Sequence, residues 1–95
     1  MTYKIAYHPL VFKEDKPRLP KSIQRQVERI IREKILNFPA RFGLPLRQSL
    51  KGHRRIRAGD YRIIYRAIED TIFVLKIGHR STVYEEAVKR LFKSL

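Results

Sequence analysis

The sequence has no cysteine and no tryptophan, a single methionine, and nine acidic residues against 22 lysines and arginines. The missing cysteine excludes disulfides and any thiolate-based zinc site, and it suits a reducing compartment. No apolar run approaches the roughly 18 residues of a membrane span, and MTYKIAYHP lacks the apolar core of a secretion signal. The expectation is a cytoplasmic protein with no membrane partner. There is no phosphate-binding P-loop, no glycine-rich dinucleotide turn and no Ser/His/Asp arrangement. His8, His53 and His79 have no ligand-like spacing, so neither metal nor cofactor is expected. The carboxylate pairs Glu14-Asp15, Glu69-Asp70 and Glu85-Glu86 read as turn or helix-surface charge.

What the sequence does have is positive charge. The net formal charge is +13, divided into +7 for residues 1–50 and +6 for the rest, so the excess belongs to the whole chain. Such a balance points to a polyanionic partner, nucleic acid first. Hydrophobic content of 43% and ten aromatics mark a folded globule, not a basic tail. At 95 residues the chain forms one domain, 1–95, with room for a modest core.

Tyr3, Ile5 and Tyr7 alternate with polar or small residues, as in a short strand with one apolar face. Pro9 opens a short helix over Leu10 to Lys16, cut off by Pro17. Pro20 opens a second, on which Ile23, Val27, Ile30, Ile31 and Ile35 share one stripe and Phe38-Pro39 closes the segment. Residues 39–53 read as a loop whose leucines 44, 46 and 50 tuck under a sheet edge. Arg54–Ala58, the turn Gly59-Asp60 and Tyr61–Ile68 form a hairpin. Thr71 to Gly78 is a nearly continuous apolar run, as befits a central strand. Thr82 and Glu85 have the T-x-x-E spacing of a capping box, followed by a helix with Tyr84, Ala87, Val88, Leu91 and Leu95 on one stripe. The order is β-α-α-β-β-β-α, an α+β fold.

The hairpin is unusual for its arginines. A two-residue turn sets Ala58 opposite Tyr61, Arg57 opposite Arg62 and Ile56 opposite Ile63. Arg55, Arg57, Arg62 and Arg66 then share one face, and Ile56, Ala58, Tyr61, Ile63 and Tyr65 share the other. Like charges directly opposite each other weaken a sheet, so Arg57 facing Arg62 suggests stability given up to bind an anion. An antiparallel third strand brings Gly78 beside Tyr61 and Arg62, and with it Arg80 and Tyr84 of GHRSTVYE. Arg57, Arg62, Arg80 and Tyr84 thus converge as a candidate metal-free ribonuclease site. Cleavage there needs a base for the 2′-hydroxyl and cations for the phosphorane charge. Tyrosine serves as a base only where cations favour its phenolate. A solvated basic strand face, and a packing role for Tyr84, are the plainer alternatives.

The stretch LKGHRRIRAGDYRIIYRAIEDTIFVLKIGHRSTVYEEAVKRLF carries L-x-G, R-I-R-x-G-D-Y-R-I-I-Y, I-G-H-R and V-Y, in that order. It resembles the RelE family of toxins from toxin–antitoxin modules. The likeness is specific over residues 50–95 and limited to element order and length before them. It implies a small antiparallel sheet flanked by an N-terminal helix pair and a C-terminal helix. It also implies ribosome-dependent, metal-independent cleavage of mRNA in the A site through a 2′,3′-cyclic phosphate. The implied partners are a cognate antitoxin, mRNA on the ribosome, and rRNA. By position, Arg62, Arg80 and Tyr84 take the catalytic roles, and Arg54, Arg55, Arg57, Arg66 and His79 contact RNA. Arg55 and Arg57 stand where some relatives have lysine. Arginine stays protonated, so the base falls to Tyr84 or, failing that, His79. The related ParE group, whose members poison DNA gyrase, is the rival reading, and a non-catalytic RNA- or ribosome-binding module is the third. The Arg80/Tyr84 pair favours the nuclease, since a gyrase inhibitor has no chemical need of it.

Overall fold

The computed structural model describes residues 2–93. Its strands are β1 (Lys4–Tyr7), β2 (Leu44–Pro45), β3 (Arg54–Ala58), β4 (Tyr61–Ile68) and β5 (Thr71–His79). They form one sheet in the order β1-β5-β4-β3-β2. The helices are α1 (Lys21–Ile30), the short α2 (Pro39–Phe42) and α3 (Val83–Lys93). A π-helical turn, Val11–Asp15, follows β1, and another, Ile31–Ile35, extends α1. No helix of the described residues is long and apolar enough to cross a membrane.

The hairpin has the expected register, with Ala58, Arg57 and Ile56 paired to Tyr61, Arg62 and Ile63. Gly59 has φ 61° at the first turn position, where glycine carries no Cβ penalty. The sheet is mixed and not purely antiparallel, because β1 lies parallel to β5, from Lys4 beside Thr71 to Tyr7 beside Val74. Side-chain alternation fixes the face a strand buries, not its neighbour or direction. The 39–53 loop is also more structured than expected. Pro39 starts α2, and Leu44–Pro45 adds a two-residue strand to the β3 edge, beside Arg55 and Arg54. Proline lacks the N–H to continue such a ladder. Leu50 is buried and Leu46 half-buried, but Leu44 points outward, 58% exposed. Gly43 is required here, since a Cβ would collide with the Tyr65 hydroxyl, which donates to the Pro39 carbonyl at 2.7 Å.

The two sheet faces carry separate cores. One packs Val27, Ile30, Ile31 and Ile35 against Ile56, Ala58, Ile63, Tyr65, Ile72, Val74 and Ile77. The other packs Val83 and Ala87 of α3, with half-buried Tyr84, Val88 and Leu91, on Ile64, Leu75 and Leu50. Leu95, expected on this stripe, lies outside the described residues. The capping box does not form: the Thr82 hydroxyl donates to Glu86 Oε1 at 3.3 Å, and Glu85 reaches forward to Lys89.

Strand β5 bulges where it meets the second core. Ile64 pairs with Lys76 while Tyr65 pairs with Val74, leaving Leu75 as the extra residue. Lys76 meets the buried carboxylate of Asp15 at 3.1 Å. Arg90 of α3 grips the same carboxylate with two bonds, at 2.7 and 3.0 Å, and donates to the Leu75 carbonyl at 3.0 Å. The Ile77 N–H also donates to Asp15, at 3.0 Å, beyond the point where β1 stops pairing with β5. Glu86 and Glu14 add contacts to Lys76 and Arg90 at 3.5 and 3.6 Å. Asp15, read from sequence as surface charge, is therefore the hub of a buried ionic cluster joining three segments. Its position was signalled: Val11, Asp15 and Leu19 lie at i, i+4 and i+8, and all three are buried.

Two stability predictions follow from these buried groups. Replacing Asp15 with asparagine leaves two buried cations with only the longer contacts to Glu86 and Glu14, a loss of about 3–5 kcal/mol. Urea unfolding of Asp15→Asn measures it, and a change under about 0.5 kcal/mol contradicts the cluster's role. The second concerns pH. Burial, then the charge of Arg66, holds the His53 imidazole below the usual histidine range, and burial does the same at His8. Both are favoured neutral in the fold. Their contribution is complete above about pH 6.5 and is lost as pH falls below it, because the unfolded chain takes protons the fold resists. His53→Gln should flatten part of that acid loss in unfolding curves measured between neutral and mildly acidic pH. An unchanged slope contradicts the assignment.

Candidate functional site

The arginine face is assembled around the Gly59-Asp60 turn. Arg57 donates from Nε to the Gly59 carbonyl at 3.2 Å, and Arg62 donates to the same oxygen at 3.0 Å and to the Tyr61 carbonyl at 2.9 Å. Sharing one acceptor holds two like charges side by side and leaves each guanidinium further donors for an anion. Arg80 joins the turn through its backbone N–H, which donates to the Asp60 carbonyl at 2.8 Å. Its side chain lies 3.6 Å from the Asp60 carboxylate, with both groups exposed. An exposed pair of this kind is weak and salt-sensitive, so Arg80 remains available to a phosphate.

Tyr84 reaches the same sheet face from the first turn of α3. Its phenolic oxygen accepts a bond from Arg55 at 2.9 Å, and the Arg55 guanidinium lies 5.8 Å from the ring centroid. The ring is half-buried against the second core, so packing and polar contact coexist in one residue. Arg55 and Arg57 lie two apart on β3 and therefore on one face. Arg55 is thus the hairpin cation that Tyr84 contacts, on the face that also bears Arg57.

Other expected site residues lie elsewhere or are engaged. Arg54 turns to the opposite side and donates to the Gly43 carbonyl at 2.8 Å. Arg66 pairs with Phe73 at the far end of β4, four residues and about 13 Å of strand from Arg62. There it lines an apolar groove with His53, Phe73 and Leu91. His79 stacks edge-on against Tyr61 with centroids 5.4 Å apart. Its Nδ1 lies 3.2 Å from the Ser81 N–H and 2.8 Å from the Ser81 hydroxyl. A backbone N–H can only donate, so Nδ1 accepts and the neutral ring carries its hydrogen on Nε2. The basic lone pair of His79 is thus turned into its own loop. Among the described residues no group of three or more His, Asp or Glu side chains gathers to hold a metal.

Two residues missed in the sequence help to seat Tyr84. Val83 and Arg90 join the expected Ala87 as the buried residues of α3. An arginine on an apolar stripe was the available signal for Arg90, just as Asp15 was on its own.

Three comparisons bear on the class. The family model of the ParE toxin of the type II toxin–antitoxin system, parDE, matches residues 5–84. The toxin RelE of Mycobacterium tuberculosis is 38% identical over 73 residues, covering 74% of each chain. The toxin–antitoxin complex RelBE2 from the same organism contains a chain with a TM-score of 0.76 and 29% identity, over 84% of this chain and all of that one. A mutant of the E. coli toxin RelE in the free state has a TM-score of 0.73 and 27% identity, over 95% and 98%. The fold and these matches define a toxin of the type II toxin–antitoxin class. Within that class, the chain belongs to the RelE family.

The opposed arginines make a testable trade. Removing one charge in Arg57→Thr relieves repulsion across β3 and β4, so stability should hold or rise by up to about 1 kcal/mol. Affinity for single-stranded RNA should fall in the same protein, as read by fluorescence anisotropy. A stability loss above about 1 kcal/mol would show that Arg57 is structural.

Proposed function

We propose that this toxin is an endoribonuclease that cuts mRNA in the ribosomal A site without a metal. The observation that carries the reading is the Arg55–Tyr84 hydrogen bond on the face that also bears Arg57 and Arg62. In the proposed step the Tyr84 phenolate, held against Arg55, takes the proton of a 2′-hydroxyl. The 2′-oxygen attacks the adjacent phosphorus, and the bond from phosphorus to the 5′-oxygen breaks. A 2′,3′-cyclic phosphate remains on one fragment. The leaving 5′-oxygen takes a proton from water beside Arg80, and the hydroxide so formed takes back the proton that Tyr84 gained, restoring water and the phenolate. Arg62 and Arg57 neutralise the equatorial phosphorane oxygens, the electrostatic role their fixed charge suits. The ribosome presents and orients the message, and the +13 chain is drawn to rRNA. Cognate antitoxin, message and rRNA are the proposed partners, and the cytoplasm is the proposed location. The chains in RelBE2 and in the RelE–RelB complex from Pyrococcus horikoshii are toxin–antitoxin assemblies, which supports an antitoxin partner here.

The ParE model match favours gyrase poisoning as the second reading. One experiment separates the two. Primer extension on a translated message should show cuts in frame with codons, lost when the start codon is removed. Tyr84→Phe should reduce cutting roughly 10²–10⁴-fold, as loss of a general base does, with ribosome affinity near wild type. A folded Tyr84→Phe protein cutting at the wild-type rate removes Tyr84 from the mechanism. Intact message with DNA cleaved on gyrase supports the ParE reading instead.

A further inference from the structure

Beside the stretch of β3 beyond its pairing with β2 lies a cleft of about 340 Å³, lined by Lys34, Phe42, Leu44, Arg57 and Arg62 among others. Its size falls within the range of small-ligand sites. Two features separate it from ordinary surface. Its lining carries four cations, these three and Arg55, and no carboxylate. Its apolar wall is exposed where a core would bury it: Phe42 is 39% exposed, Phe38 beside it 46%, and Leu44 58%. The Phe38 and Phe42 rings meet edge to face with centroids 6.0 Å apart. Lys34 Nζ hangs 5.4 Å from the Phe42 centroid, and the Arg41 guanidinium lies 5.6 Å from it.

Aromatic rings interleaved with cations match the chemistry of unpaired nucleotides, whose bases stack on rings while phosphates meet basic side chains. We propose that this cleft is a nucleobase subsite, in which a single-stranded RNA base stacks on Phe42 while its phosphate engages Arg57 and Arg62. The inference rests on the RNA-cleaving reading above and adds a specificity element to it. Arg57 and Arg62 line both the cleft and the arginine face, so a nucleotide here is the neighbour of the one being cut. Lys34 and Arg41 have exposed, flexible stems and can leave the ring for the backbone when a base arrives. Pro39 and the contact of Tyr65 with its carbonyl fix α2, and so hold Phe42 in place.

The test uses the full-length toxin and a short, labelled 2′-O-methyl oligoribonucleotide, which 2′-hydroxyl attack cannot cut. One abasic position is walked along the probe, and affinity is read by anisotropy. Phe42→Ala should weaken binding roughly 5- to 150-fold, the loss of one base–aromatic stack, and Phe42→Tyr should restore it. One abasic position should cost wild type the same factor and cost Phe42→Ala nothing more, since the base and the ring are partners. Thermal melts of each variant confirm that the fold is retained. Equal abasic losses in both proteins, or Phe42→Ala binding like wild type, overturn the subsite. So does a Phe42→Ala protein that loses only antitoxin affinity, which would assign the cleft to the protein partner. Message cleavage on ribosomes, measured in parallel, keeps the two claims apart. Cleavage intact without a Phe42 effect removes the subsite alone, and a Phe42 effect without cleavage removes the nuclease reading alone.

Discussion

One buried carboxylate fixes how α3 sits on the sheet. Asp15 accepts from Arg90 twice, from Lys76, and from the Ile77 backbone, so nearly all its acceptor capacity is used inside the protein. A buried charge is tolerated only when paired and fully bonded. Here the pairing joins the turn after β1, the central strand β5, and α3. The bulge at Leu75 is part of the same arrangement, since Arg90 donates to the carbonyl of that residue. Burial of Val83 and Ala87 holds α3 to the sheet, while the directional bonds fix where along the sheet it sits. Tyr84 meets Arg55 because of that seat.

The opposite economy governs the hairpin. Its arginines are charged, close and largely unneutralised, with Asp60 as the acid within the turn. Like charges in register are a standing cost to a sheet, and the fold carries that cost because Ile63, Ile64 and Tyr65 anchor β4 in both cores. Buried charge in the Asp15 cluster is fully compensated, whereas exposed charge on the arginine face is left open to an anion. That contrast separates the structural ionic network from the open, charged face of the hairpin.

Much of this was legible in the sequence. A two-residue glycine turn fixes register, so the hairpin and its arginine face follow from composition and alternation alone. The central strand and the α3 stripe follow from runs and spacing. What could not be read depends on contacts distant in the chain. The parallel placement of β1 leaves no mark on its own residues. Strand β2 is two residues long and carries no period. Arg54 and Arg66 looked equivalent to their neighbours until the Gly43 carbonyl and the far groove claimed them. Asp15 and Arg90 were legible in part, as charges on apolar stripes, but adjacent Glu14 suggested a solvated pair. Each charge on an apolar stripe implies a partner, and here two such residues 75 positions apart pair with each other.

In the proposed nuclease reaction, Asp15 acts on cleavage through the placement of Tyr84. A double-mutant cycle on single-turnover message cleavage, at saturating ribosome and below the melting temperature of every variant, tests it most directly. Asp15→Asn should slow cleavage in the wild-type background and add no further loss in Tyr84→Phe. The same fold-loss in both backgrounds would contradict it, since the cluster would then serve the fold without serving the tyrosine.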